Sequence, residues 1–179
     1  DNGIDLLVLG PGTHLRWLLG FSPPQDERPS MLLIGKEKEV FLIPSVNAED
    51  VRRKTDIKIN VWKDESGPDQ ALKEALLYID ESSAKHIAID EAMRAHFALI
   101  VIDALPNPTH EFTGSTIGAL RMRKDQTEFI NLKENALIDD RAMKAGFAAI
   151  KEGVTELEIG KAVNKHFISE GAKTQFCIV

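Results

Sequence analysis

The side chains of this 179-residue chain that could do chemistry are one cysteine, five histidines and 28 carboxylates, and their spacing completes no catalytic constellation. Asp139 and Asp140 are adjacent acids, but neighbours on a helix point about 100° apart, so the pair reads as a solvated face and not as a metal grip. "GPGTHL" follows a strand as a dinucleotide turn would, yet Leu15 stands where a third glycine is needed; a Gly-Pro turn accounts for it. "HEFTG" opens like a zinc-protease helix, but Gly114 replaces the second histidine and the stretch favours a strand. Cys177 could pair with His166 as a nucleophile. Nothing nearby would lower its pKa, and its apolar surroundings read as a buried structural thiol. His14, His86, His96 and His110 are scattered without ligand spacing.

The elements that must position these residues alternate. Strand patterns cover Ile4 to Leu9, Met31 to Ile34, Val40 to Ile43, Ile57 to Trp62 and "HIAID". Helical patterns cover Val46 to Lys54, Gln70 to Glu81 and Glu91 to Ala104. The polar turn "GKEKE" makes a hairpin of the second and third strands, so the sheet must be mixed, with helices against it. That predicts an α/β domain over residues 1–115.

From Thr116 the texture changes, and residues 116–179 read as the start of a second domain. Asp125 with Glu128 forms a capping box for a long helix to Glu152, with Phe129, Leu132, Ala136, Met143, Phe147 and Ile150 on one stripe and Gly153 at its end. Thr155 with Glu158 opens another, running through Ile159, Val163 and Phe167 to Glu170, where Gly171 serves as the left-handed stop. Gln175 to Val179 then read as a strand meant for burial. Two helices and one strand do not close a core, so the second domain is expected to be truncated. An unfinished core of this kind would expose an aggregation-prone edge.

Composition narrows the function classes. A net charge of −6, with no basic cluster longer than Arg52-Arg53-Lys54, argues against a nucleic-acid partner. The longest apolar run, around Phe97 to Ile102, falls well short of a bilayer span, and no leader pattern opens the chain. A single cysteine fits a reducing compartment, so the expected location is cytoplasmic.

Two stretches carry a family resemblance. "HLRWLLGF" is similar to the Asn-(Leu/Ile)-Arg-Tyr-Leu-Thr-Gly-Phe segment of the creatinase/prolidase branch of the pita-bread metallopeptidases, matching at Leu15, Arg16, Leu18, Gly20 and Phe21 and departing at His14, Trp17 and Leu19. The segment from Leu120 to Ala172 resembles the opening of that family's catalytic domain. It shows the Leu-Arg pair at Leu120 and Arg121, then Lys124 and Glu128, then Gly153, Thr155, Glu156 and Glu158, and the Gly171-Ala172 end.

The resemblance implies a mixed-sheet creatinase-like N-terminal domain, then the first helices and strand of an α+β pita-bread domain. It also implies a peptidase that hydrolyses the bond before proline, a dipeptidase in preference to an aminopeptidase. Such a bond lacks an N–H and is kinked by the ring, so it suits a small closed pocket better than an extended-backbone groove. A creatinase-type amidinohydrolase, an inactive pita-bread binding domain and a dimerisation module stay open as alternatives. The family's site holds two divalent ions, Mn²⁺, Co²⁺ or Zn²⁺, whose ligands are expected after Val179, so this stretch alone is expected to bind no metal and to be inactive. In homodimeric members the loop after the Gly-Phe pair reaches toward the neighbouring subunit's active site. Here that loop is Ser22 to Pro29, and Asp26 or Arg28 is the candidate for holding a peptide terminus, against the alternative of a solvated, proline-rich surface loop. Trp17 is expected in the core, and Arg16 and Arg121 in structural roles.

Overall fold

The computed structural model describes residues 3–174 and Cys177. The chain forms two compact units, Asp1–Met122 and Arg123–Val179. The first is a six-stranded sheet in the order β4-β3-β2-β1-β5-β6, made by β1 (Leu6–Leu9), β2 (Met31–Ile34), β3 (Glu39–Pro44), β4 (Ile59–Trp62), β5 (His86–Ile89) and β6 (Thr109–Phe112). The pairs β1/β2 and β2/β3 are antiparallel, and the other three are parallel, so the sheet is mixed as the hairpin requires.

Alternation along the strands gives the sheet two apolar faces, and each needs its own cover. Leu6, Val8, Leu33, Val40, Leu42, Ile87 and Ile89 face α3 (Asp69–Tyr78) and α4 (Ala95–Ala104), which contribute Leu72, Leu76, Phe97 and Val101. Leu9, Leu32, Phe41 and Ile43 face α1 (Thr13–Leu19), α2 (Ser45–Arg52) and α5 (Ile117–Met122) through Leu15, Val51 and Ile117. The first unit therefore runs to Met122, past the boundary expected at Ser115, because Ile117 is buried in its second core cluster.

Local chemistry sets the element ends. Helix α3 stops at Tyr78, short of Glu81, because Asp80 takes a left-handed φ of 62°. Helix α4 starts at Ala95 and not at Glu91, because Asp90 folds the chain into a turn: its carboxylate accepts from the Ala92 N–H at 2.9 Å and its carbonyl from the Met93 N–H at 3.0 Å. Helix α1 was hidden in a motif read as a turn, and left-handed Gly20 ends it, donating its N–H to the Arg16 carbonyl at 2.9 Å. Trp17, expected in the core, is 38% exposed, on the rim of an apolar groove with Leu7, Leu18, Ile34 and Leu120. Its helix turns Leu15 inward and Trp17 outward. Arg52, Arg53 and Lys54 are exposed and pair with Glu49 and Asp50, as a helix end facing water does.

In the second unit α6 (Gln126–Ala149) and α7 (Glu156–Ser169) both start from the expected capping boxes. Helix α7 ends in a Schellman arrangement at Gly171, φ 74°, with the Ala172 N–H on the Phe167 carbonyl. The apolar stripe of α6 is not what α7 covers. Phe129, Leu132, Met143, Phe147 and Ile150 are all 44–65% exposed; the buried residues of α6 are Ala142 and Gly146, and Gly146 lies against Val163 of α7. Small residues let the two backbones approach closely. Cys177 is exposed, contrary to the buried thiol expected, because Met143, Val163 and Phe167, which line the same hollow, leave it open. The remainder of the expected strand Gln175 to Val179 lies outside the described residues. Among the described residues no helix is long and apolar enough to cross a membrane.

A Cβ on Gly146 would lie 2.7 Å from Val163 Cγ2, inside van der Waals contact. Overpacking of this kind costs about 1–3 kcal/mol, which the better helix propensity of alanine offsets by roughly 1 kcal/mol. Gly146→Ala is therefore expected to lower the stability of the helix pair by about 1 kcal/mol, and adding Val163→Ala should restore it. Urea titration of the single and double variants checks this; equal midpoints for Gly146→Ala and the parent would show that the crossing is looser than described.

Candidate functional site

Strands β1, β5 and β6 run parallel side by side, and the chain leaves each of them at the same edge of the sheet. Such carboxyl ends are where open α/β sheets gather functional groups. Beyond β1 lies His14, in the first turn of α1; beyond β5 lie Asp90 and Glu91; beyond β6 lies Thr113, which begins a 3-10 turn leading to α5 and Arg121. His14, Asp90 and Thr113 are buried, while Glu91 is exposed.

The hydrogen bonds among these groups have definite directions. A guanidinium only donates, so Arg121 Nη1 at 2.9 Å from His14 Nδ1 makes that nitrogen the acceptor. A neutral imidazole then carries its proton on Nε2, which sits 3.2 Å from Thr113 Oγ1. The Thr113 hydroxyl donates in turn to Glu91 Oε2. The result is one oriented chain, from Arg121 through His14 and Thr113 to Glu91. The Thr113 hydroxyl is the first cause holding the Glu91 carboxyl below its usual range, ahead of the opposing effect of burial. Burial raises the Asp90 carboxyl, with the Ala92 N–H and His14 acting against it.

His14, Asp90 and Glu91 are also the one group among the described residues whose donor atoms, all within 4.8 Å of one another, could meet at a metal ion. The surroundings do not fit one. A metal-bound histidine turns its second nitrogen, as N–H, toward an acceptor. Here the second nitrogen faces a guanidinium, and with Nε2 on an ion the ring would have to lose both protons. Three donors are in any case too few for a two-metal centre. The cluster is a hydrogen-bonded hub, and sequence spacing missed it because the partners of His14 lie 76 to 107 positions away. The available signal was that Asp90 follows directly on β5, while His14 stands just past the Gly-Pro-Gly turn that leaves β1.

The loop from Ser22 to Pro29 is held at defined points. The Asp26 carboxylate accepts from the Arg28 N–H at 2.8 Å, closing a local turn. Arg28 Nε and Nη2 reach the Asp64 carboxylate at 2.9–3.2 Å, and Nη1 reaches Glu27 at 2.9 Å. This pairing with Asp64 is the main cause that raises the guanidinium's pKa and lowers that of Asp64. From the other side Arg94 donates to the Asp26 carbonyl, His96 bonds the Glu27 carbonyl, and the Trp62 indole N–H donates to the Pro29 carbonyl. Asp139 and Asp140 are exposed, as a solvated face should be.

The model of the Creatinase/Prolidase N-terminal domain matches residues 1–123, and the chain belongs to that family. An Xaa-Pro dipeptidase of Lactobacillus delbrueckii subsp. lactis is 24% identical over 169 residues, covering 87% of this chain and 43% of that protein. A dipeptidase from Pyrococcus horikoshii OT3 superposes with a TM-score of 0.77 at 25% identity, over 93% of this chain and 46% of the other. Dipeptidase PepE of Mycobacterium ulcerans, at 22% identity, shares the fold with a TM-score of 0.82 over 94% of this chain and 45% of its own. The chain thus spans less than half the length of these relatives.

Proposed function

We propose that this chain is the N-terminal part of an Xaa-Pro dipeptidase, which hydrolyses the peptide bond before proline. The observation that supports it best is the similarity, over 87% of the chain, to an Xaa-Pro dipeptidase. In this reading the two divalent ions, Mn²⁺, Co²⁺ or Zn²⁺, are held by ligands in the sequence following Val179, because the His14 cluster does not fit an ion. When bound, such ions would acidify a water and polarise the scissile carbonyl. Residues 1–179 alone would then be inactive, and the working enzyme would be a homodimer.

The contribution of this part is to the substrate's end. A charged peptide terminus losing its water needs an opposite charge beside it. The loop offers Asp26 for an ammonium, at the cost of its bond to the Arg28 N–H, or Arg28 for a carboxylate, at the cost of a share of its pairing with Asp64.

The test uses the full-length protein with Mn²⁺. Xaa-Pro dipeptides should be cleaved faster than Xaa-Pro-Yaa tripeptides, and replacing Asp26 and Arg28 together by alanine should raise KM roughly tenfold, the scale of one charge-assisted bond. Faster cleavage of the tripeptide would make it an aminopeptidase. Hydrolysis of creatine, without the dipeptide, would make it an amidinohydrolase. An unchanged KM in the double variant would remove the loop from the site.

A further inference from the structure

The loop from Ser22 to Pro29 carries two candidates of opposite charge for a substrate's end, and their surroundings are not equal. The Arg28 guanidinium is already engaged: Nε and Nη2 hold Asp64, and Nη1 holds Glu27. Asp64, Glu27 and Asp26 all act to raise its pKa, so it sits in the field of three carboxylates. A substrate carboxylate arriving there would be a fourth anion on one cation and would have to displace another. Asp26 stands differently. It commits Oδ1 to the Arg28 N–H at 2.8 Å, while Oδ2 has no hydrogen bond or ion pair among the described residues. Arg94, the other cation at the loop, gives Nη1 to the Asp26 carbonyl at 3.1 Å and makes no ion pair with the carboxylate. Among the charged side chains on or bonded to residues 26–28, the acids Asp26, Glu27 and Asp64 face the guanidiniums Arg28 and Arg94, and the surplus is negative.

We propose that Asp26 is the specificity-determining residue of this loop and reads the substrate's free ammonium, while Arg28 is a positioning residue that holds the loop and not the substrate. This rests on the reading that the loop meets the substrate. An ammonium approaching Oδ2 takes only a share of the Oδ1 bond and pairs with a carboxylate that no cation has neutralised. The backbone around Asp26 is fixed beforehand. Arg94 holds the Asp26 carbonyl, His96 Nε2 lies 3.3 Å from the Glu27 carbonyl, and the buried Trp62 donates its indole N–H to the Pro29 carbonyl at 2.9 Å. A charge held in place before its ligand arrives loses little freedom on binding. The loop then discriminates by the α-amine, and a peptide without that amine loses what the loop contributes.

The experiment uses the full-length protein with Mn²⁺ and three ligands: Ala-Pro, Ala-prolinamide, which lacks the carboxylate, and propionyl-proline, which lacks the ammonium. Each is measured as a substrate or, where it is not cleaved, as a competitive inhibitor. Asp26→Asn keeps the oxygen that accepts from the Arg28 N–H and removes only the charge. It should weaken Ala-Pro and Ala-prolinamide alike by roughly tenfold in KM or inhibition constant, the scale of one charge-assisted bond, with kcat for Ala-Pro kept. Propionyl-proline should bind the variant as it binds the parent, because it has nothing for Asp26 to hold. Arg28→Lys should change the values for Ala-Pro and Ala-prolinamide by one common factor, since removing the carboxylate takes nothing from a residue that does not bind it. An unchanged KM for Ala-Pro in Asp26→Asn would overturn the proposal. So would an Arg28→Lys effect on Ala-Pro that vanishes with Ala-prolinamide, or an Asp26→Asn effect as large on propionyl-proline as on Ala-Pro. A double alanine variant at 26 and 28 that keeps the parent's KM would take the loop out of the site altogether. A raised KM there beside an unchanged one in Asp26→Asn removes only the ammonium assignment.

Discussion

Phe41→Ala is expected to lower the unfolding free energy of the first unit by about 3–5 kcal/mol, the largest loss among the substitutions considered. Phe41 is fully buried in β3, the strand that lies between β2 and β4. Across the sheet it is in register with Leu32 on one side and Ile59 on the other, and its ring meets that of Phe21 at 6.2 Å in a tilted pair. Truncation to alanine removes the transfer free energy of the ring and leaves a cavity that two sheet neighbours cannot fill by moving. Phe41→Leu keeps much of the volume and should cost less than half as much. A urea titration of both variants, with the slope of the transition monitored, checks the ranking. A loss under 1 kcal/mol for alanine would mean that the second face of the sheet is no true core.

The same face is where sequence and structure part. The strands were legible because their apolar residues are dense and β-branched or long, and the hairpin because a charged turn separates two of them. The capping boxes at Asp125 and Thr155 were legible because their partners lie three residues apart. Helices α1 and α5 were not. The first is seven residues long and the second six, too short for a periodic pattern, and both are stabilised by docking Leu15 and Ile117 onto the sheet. The polar hub was hidden for the same reason: His14, Glu91, Thr113 and Arg121 meet only after β1, β5 and β6 are laid parallel. The α6 stripe shows the converse limit. Its period was real, but period alone does not say which face a neighbouring helix takes, and Gly146 offered α7 a closer approach than Phe147. The family motif resolved what spacing could not, since a segment match reports whole-domain arrangement without any local partner being visible.

Asp5 carries the second large effect, and its sign is fixed by pH. Its carboxylate accepts from Lys36 Nζ at 2.8 Å and from the Lys85 and His86 N–H groups at 2.9 and 3.1 Å, tying the start of β1 to the start of β5. The Lys36 bond first, and the two amides after it, hold its pKa at about 2 against an ordinary 3.8. A carboxyl depressed on folding stabilises the protein fully above its unfolded pKa, and that contribution is lost as pH falls from about 3.8 through about 2. With the side chain 23% exposed, solvent screening reduces the contribution to roughly 1–2 kcal/mol. Asp5→Ala should therefore lower stability by about that amount at neutral pH, where it also leaves two amides without their acceptor. As pH falls below about 3.8 the difference between variant and parent should shrink, because the unfolded carboxyl takes up its proton first, and it should be nearly gone below about 2, where the folded carboxyl is protonated as well. Urea midpoints measured at neutral pH and at several points down to pH ~2 follow the two curves. Curves that stay parallel throughout would show that Asp5 acts only through its shape, and that the carboxylate charge does not fasten β1 to β5.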